Sequence, residues 1–251
     1  MKNATYQNIL SIIKNQGAAF VLLLDPDRLP LEQIERTVFS AIENGVDLFF
    51  VGGTLLLSKN FDEFVQRTKT AAGHIPVILF PGSIFQVSRH ADAILYLSVI
   101  SGRNPAYLID NQVLAAPIVW QLQVEAISCG YLLIESGQMT SAEFMSNSRP
   151  IPRSKPDLAL AHALAAQYLG FKLIYLEAGS GAQLSVPEEM IMAVSKTISI
   201  PVIVGGGIRT PELAKKKVEA GASLVVIGNH FEDPQNFLRI KEFSDAIHRN
   251  K

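Results

Sequence analysis

A closed barrel of eight parallel strands, each followed by a helical crossover, is the fold this sequence predicts. Three observations lead there. Eight short apolar runs recur along the chain, each bounded by Gly, Pro, Asp or Asn. The runs are continuously apolar and not alternating, as strands buried on both faces of a parallel sheet must be. Helical patterns separate most of them, and 251 residues is a length at which such barrels form one unit. Residues 1–251 are therefore expected to form a single TIM (β/α)8 barrel with no interdomain linker. A doubly wound sheet is disfavoured because no GxGxxG turn follows the first strand.

Taken in order, "FVLLLDPD" from Phe20 precedes the helical stretch "PLEQIERTVFSAIENG", and "DLFFVGG" from Asp47 precedes "FDEFVQRTKTAAGH". The third run, "PVILFPGS" from Pro76, is separated from the fourth, "AILYLS" from Ala93, mainly by "PGSIFQVSRHAD". That is near the lower limit for a helical crossover, so the third helix should be irregular, short or missing. Long insertions follow the fourth run and the fifth, "YLLIESG" from Tyr131, and insertions of this kind serve active sites. "PDLALAHALAAQYLG" leads to the sixth run, "KLIYLEAGSG" from Lys172. The seventh, "PVIVGGG" from Pro201, is followed by "TPELAKKKVEAGA", where Thr210 suits the N-cap and Pro211 the first helical position. The eighth is "LVVIGN" from Leu224.

Hydrophobic residues make up 48% of the chain and charged ones 18%, with a mean hydropathy of +0.23. This is material for a large core and not for a disordered chain. The longest wholly apolar run, Ala18 to Leu24, is far short of the roughly 18 to 20 residues that cross a bilayer, so no transmembrane segment is expected. The opening "MKNATYQNIL" has no export signal, and a cytoplasmic protein is expected. Cys129 is the one cysteine and reads as buried filler. With 22 basic against 23 acidic residues, nothing favours nucleic acid, and any phosphate must be held locally. The run Lys215 to Lys217 reads as a solvated helix face, and the five histidines show no metal-ligand spacing.

In such a barrel the segments after the strands converge on one face. They read Asp25-Pro26-Asp27, Gly52-Gly53-Thr54, Pro81-Gly82-Ser83, Ser98, Glu135-Ser136-Gly137, Glu177 to Gly181, Gly205 to Gly207, and Gly228-Asn229. The sixth, seventh and eighth are glycine-rich, as a phosphate cradle of backbone N–H groups needs, and a helix starting at Pro211 adds its positive end. Asp25, with Asp27 and Thr54, forms a corner suited to a hard cation such as Mg²⁺. One reading of these loops is a phosphosugar isomerase or synthase, with Asp25 and Glu135 as an acid/base pair. Another is a non-catalytic lipid-binding module.

"LLDPDR", "FFVGGT", "VILFPGS", "PIPRSKPDLALAHALAAQYLG", "YLEAGSGA", "VIVGGGIRTPE" and "VVIGN" occur in that order between about Phe20 and Asn229. In these motifs the chain resembles the geranylgeranylglyceryl phosphate synthase family, which also includes bacterial heptaprenylglyceryl phosphate synthases. The resemblance implies a modified barrel with an irregular third helix. It also implies transfer of a prenyl group, geranylgeranyl, from its diphosphate to the C3 hydroxyl of sn-glycerol 1-phosphate. By position it implies glycerol phosphate binding at Tyr175, Leu176, Glu177, Ala178, Gly179, Ser180, Gly181, Gly206, Gly207, Gly228 and Asn229, and Mg²⁺ at Asp25 and Thr54. Some bacterial relatives carry a lysine two places before the first aspartate; here that position is Leu23, a departure from that subgroup.

Glu177, beside the cradle, is the expected base for the glycerol hydroxyl. The prenyl chain needs an apolar groove, and Val113, Ala116, Trp120 and Val124, at helical spacing, are the expected wall. A homo-oligomer is also expected, as is a peripheral membrane contact for release of a lipid product.

Overall fold

A strand that is apolar on both sides has two faces to bury, and closure into a barrel buries both. The computed structural model describes residues 4–249. Helix α1 (Ala4–Gln16) precedes β1 (Ala19–Leu24), α2 (Ile34–Glu43), β2 (Leu48–Val51), α3 (Phe61–Ala72), β3 (Val77–Leu79) and β4 (Ala93–Ser98). A π-helical turn (Ala106–Asp110) then leads into α4 (Asn111–Gln121), followed by β5 (Glu125–Leu133), α5 (Ser141–Ser146), α6 (Pro156–Tyr168) and β6 (Leu173–Glu177). The chain closes with α7 (Glu188–Ser195), β7 (Val202–Gly205), α8 (Pro211–Glu219), β8 (Leu224–Ile227), α9 (Pro234–Phe237) and α10 (Ile240–Ile247). Among the described residues the eight strands are parallel and pair in chain order, β8 returning to β1 with Val226 opposite Val21.

Side chains alternate across this wall. Val21, Phe50, Ile78, Leu95, Ile127 and Ile203 fill the barrel interior, while Phe20, Leu22, Phe49, Ile174 and Val204 pack outward beneath the helices. Helix α1 stoppers the N-terminal mouth: Ile9 is fully buried in the interior cluster, and the Glu125 carboxylate accepts the N–H groups of Thr5 at 2.8 Å and Tyr6 at 3.0 Å. An acid at a helix N-terminus satisfies orphan donors there. This contact explains why β5 begins at Glu125, six residues earlier than the run at Tyr131 indicated. The polar start of the strand pairs with β4 from Ala93 opposite Glu125 onward.

The third crossover bears out the sequence reading: among the described residues no helix lies between β3 and β4. Side-chain bonds take its place. The buried amide of Gln86 accepts the N–H groups of Gly53 and Gly82, each at 3.2 Å, and donates to Gly53 O at 2.8 Å. Asp92 accepts Val77 N–H at 2.8 Å, and Ser88 Oγ donates to Asp62 at 2.6 Å. Gln86 thereby ties the loop after β2 to the loop after β3 and sets the backbone next to Thr54. Thr210 caps α8 as expected, its hydroxyl accepting Leu213 N–H at 3.2 Å. No described helix is long and apolar enough to cross a membrane.

Candidate active site

The loops at the C-terminal ends of the strands enclose a cavity of about 990 Å³. Its glycine side is made by Gly179, Ser180 and Gly181 after β6, Gly206 and Gly207 after β7, and Gly228 and Asn229 after β8. The N–H groups of Ser180, Gly181, Gly206 and Gly207 meet no acceptor among the described residues. Four unpaired donors lining one cavity are what an anion cradle requires. Ser180 Oγ donates to Asn229 Oδ1 and joins the outer two loops. Gly206 is at φ +85°, and a methyl group on it would lie 2.5 Å from Glu177 Oε1 and 2.7 Å from Gly179 N. Only glycine lets the two loops close to this distance.

Glu177 ends β6, is 5% exposed and lines this cavity. Its Oε1 accepts Gly179 N–H at 2.6 Å. Burial pushes its pKa up to about 7, against the lowering effect of the Gly179 N–H and of the neighbouring Tyr175 hydroxyl. A carboxylate so tuned is poised to exchange a proton near neutrality. Tyr175 points into the barrel, stacked on Phe80 at 5.3 Å between ring centroids and edge-on to Tyr131 at 5.3 Å. Leu176 and Ala178 face the other way, into the layer beneath the helices, and line no part of the cavity. Strand alternation turns their side chains away from the site.

Across the cavity, Asp25 and Thr54 both line the mouth. Asp25 Oδ1 accepts Asp27 N–H at 2.8 Å, whereas its Oδ2 has no hydrogen-bond partner among the described residues. Burial raises the Asp25 pKa, opposed by the Asp27 N–H. A methyl group at Gly53 would lie 3.1 Å from Oδ2, so the missing side chain keeps that oxygen open. Asp27 is otherwise engaged, accepting the N–H groups of Leu57 at 2.8 Å and Ser58 at 2.7 Å. The described residues hold no cluster of three His, Cys, Asp or Glu arranged around a metal. A free carboxylate oxygen and a hydroxyl lining one cavity are donors of the kind Mg²⁺ takes, since it keeps waters and accepts substrate phosphate oxygens. Glu135 is exposed, lines neither cavity and is occupied by Arg153 N–H at 3.3 Å, so the acid/base pair of the phosphosugar reading does not assemble.

A second, apolar cavity of about 130 Å³ adjoins the first and shares Thr54, Phe80, Tyr131, Ala142 and Met145 with it. Ile84, Val87, Ile94, Leu97, Tyr107 and Ala115 continue its wall. The expected prenyl wall is corrected here. Val113, Ala116 and Trp120 do share a face of α4, but it is the outer one, with Val113 61% and Trp120 63% exposed. Val124 is not on that helix: α4 stops at Gln121, Gln123 takes φ +58°, and Val124 is buried under the helices ahead of β5. The apolar cavity is met by the opposite face of α4, through Asn111, Gln112 and Ala115.

Comparison with known proteins places this geometry. The sequence profile of the PcrB family matches residues 10–247. The chain belongs to the PcrB family. It is 44% identical over 248 residues to the geranylgeranylglyceryl phosphate synthase of Chitinophaga pinensis, covering 99% of this chain and 97% of that one. It is 41% identical over 235 residues to the enzyme of the same name from Korarchaeum cryptofilum, covering 93% and 96%. The crystal structure of (S)-3-O-geranylgeranylglyceryl phosphate synthase from Thermoplasma acidophilum, in complex with sn-glycerol-1-phosphate, superposes with a TM-score of 0.87 at 33% identity, covering 96% of this chain and 97% of that one.

Other residues of this PcrB-family site were not legible as single positions. Gln86 sits in the segment that lacks a helix. Met139, Thr140 and Phe144 reach the large cavity from the insertion after β5, whose length alone marked it as functional. Arg28 lines the mouth, where its positive charge acts on both Asp25 and Glu232.

Proposed function

We propose that this chain is a geranylgeranylglyceryl phosphate synthase, joining the C3 hydroxyl of sn-glycerol 1-phosphate to a long prenyl group, geranylgeranyl, by an ether bond with release of diphosphate. The observation that carries the reading is the place of Glu177. It touches the anion cradle on one side and opens on a cavity that runs on into an apolar one.

The phosphate of glycerol phosphate rests on the unpaired N–H groups of the loops after β6 and β7, with Asn229 closing the third side. This holds the C3 hydroxyl near Glu177. The prenyl chain lies along the apolar cavity past Phe80, Tyr131 and Ala115, with its diphosphate at the mouth near Arg28. Asp25 and Thr54 would hold Mg²⁺, which would supply neutralising charge for the diphosphate leaving group when bound. The bond from the prenyl C1 to the diphosphate oxygen breaks and its electron pair leaves with the diphosphate. The glycerol oxygen forms the new bond to C1, and its proton passes to Glu177.

The exposed apolar residues Val113, Ile118 and Trp120 of α4, with Ile109 of the π-helical turn before it, support self-association into a homo-oligomer. Exposed Leu57, Phe85, Met139 and Phe144 around the active-site face support a peripheral membrane contact through which a lipid product leaves a cytoplasmic enzyme. The test of the activity is a mass-spectrometric product assay with sn-glycerol 1-phosphate and prenyl diphosphates from geranyl to heptaprenyl. An ether product with the geranylgeranyl chain preferred supports the reading; diphosphate release without an ether product, or no release at all, defeats it.

A further inference from the structure

Behind the glycine cradle, the backbone from Ala182 to Val186 is held by cations from three separate parts of the barrel. Arg209, after β7, donates from Nη2 to Ala182 O at 2.6 Å and from Nη1 to Gln183 O at 3.3 Å. Arg153, ahead of α6, donates from Nη1 to Ser185 O at 2.7 Å and to Glu135 O at 3.1 Å. Lys217, on α8 and 1% exposed, donates from Nζ to Val186 O at 2.6 Å and pairs with Glu188 Oε1 at 2.6 Å. Lysines are almost never so deeply buried unless paired, and burial draws the Lys217 pKa down even with Glu188 opposing it. Lys217 was expected on a solvated face; it is the one member of its basic run that turns inward.

These contacts converge on the two halves of the cradle. Ala182 directly follows Gly181, whose N–H is unpaired, so anchoring Ala182 O limits where Gly181 can sit. Gly207, the other half, packs against the braced segment: a methyl group on it would lie 3.0 Å from Ser185 N and 3.1 Å from Leu184 C. Arg209 stands two residues from Gly207 and reaches the β6 loop, so one side chain spans both halves. Charge-assisted hydrogen bonds of this type are strong and directional. The carbonyls that these cations hold keep the backbone in place.

We propose that Arg153, Arg209 and Lys217 are positioning residues for glycerol phosphate, acting through the backbone of residues 182–186 to fix the spacing of the two cradle loops. This rests on the reading of the cradle as the glycerol phosphate site. Arg153 is the informative member because, unlike Arg209, it lines neither cavity. It can reach the phosphate only through Ser185.

The experiment titrates parent, Arg153→Ala and Arg153→Lys with sn-glycerol 1-phosphate and with inorganic phosphate by calorimetry, and measures KM for both substrates and Tm. Arg153→Ala should weaken sn-glycerol 1-phosphate about tenfold or more, leave the KM of the prenyl diphosphate within about twofold, and be largely rescued by Arg153→Lys. Parental affinity in folded Arg153→Ala overturns the proposal. So does an equal rise in both KM values with a lowered Tm, the sign of a purely structural role. If Arg153→Ala does not fold, Arg153→Gln is measured in its place against the same two outcomes. Should the parent bind sn-glycerol 1-phosphate yet make no ether, the proposed activity fails while the binding comparison still decides the brace.

Discussion

Gly206 stands so close to Glu177 that a single added methyl group would lie 2.5 Å from the carboxylate oxygen that already accepts Gly179 N–H. The base and the cradle are therefore one assembly, and neither can move without the other. Gly206→Ala adds that methyl at a residue with φ +85°, a conformation alanine adopts only with strain. Glycerol phosphate affinity and turnover should both fall, by about tenfold or more. Calorimetry with steady-state rates checks this, and parental affinity in the folded variant would show that the loops have slack.

The pH dependence follows from the raised pKa of Glu177. As a base it must be ionised, so kcat should rise with pH through about 7 and then level off. Stability moves the opposite way. The folded protein holds a proton that the unfolded chain releases near 4.5, so this contribution is present below that pH and is lost as pH rises through about 7. Glu177→Gln cannot ionise and should gain on the parent by on the order of 3 kcal/mol between pH 4.5 and pH 8. Denaturant melts at the two pH values measure the difference; a gap that does not change with pH refutes the raised pKa.

At the metal corner the two aspartates should separate. Asp25→Ala is expected to abolish stimulation by Mg²⁺ and keep the fold. Asp27→Ala removes the acceptor for Leu57 and Ser58 N–H and should raise KM for the prenyl diphosphate while keeping the metal response. Mg²⁺ titrations of activity check both, and a parental response in Asp25→Ala would put the metal elsewhere.

The two faces of α4 should also separate. Trp120→Glu should change the oligomeric state, seen by light scattering, with the product length profile unaltered. Ala115→Phe fills the apolar cavity and should shift preference toward shorter diphosphates at little cost to glycerol phosphate binding. A changed length profile in Trp120→Glu would return Trp120 to the groove.

The barrel was legible because its strands are buried on both faces, which leaves continuous apolar runs, and because one crossover is too short for a helix. The cradle was legible because close backbone approach leaves glycines, as at Gly206 and Gly207. What escaped depends on which way a residue turns. Trp120 and Ala115 lie on one helix with opposite fates, and Val124 falls past a break at Gln123 that helical spacing alone does not reveal. Leu176 sits between two cavity-facing residues and turns away from both. Gln86, Arg153 and Lys217 act on backbone far off in the chain, and no local motif marks such contacts.

If Glu177 takes the glycerol proton while the cradle holds the phosphate, the decisive measurement is kcat of Glu177→Gln at saturating substrates beside its Kd for sn-glycerol 1-phosphate. Kd should stay close to the parent's and kcat should fall by about 10² or more. A folded Glu177→Gln enzyme that turns over at the parental rate would contradict it.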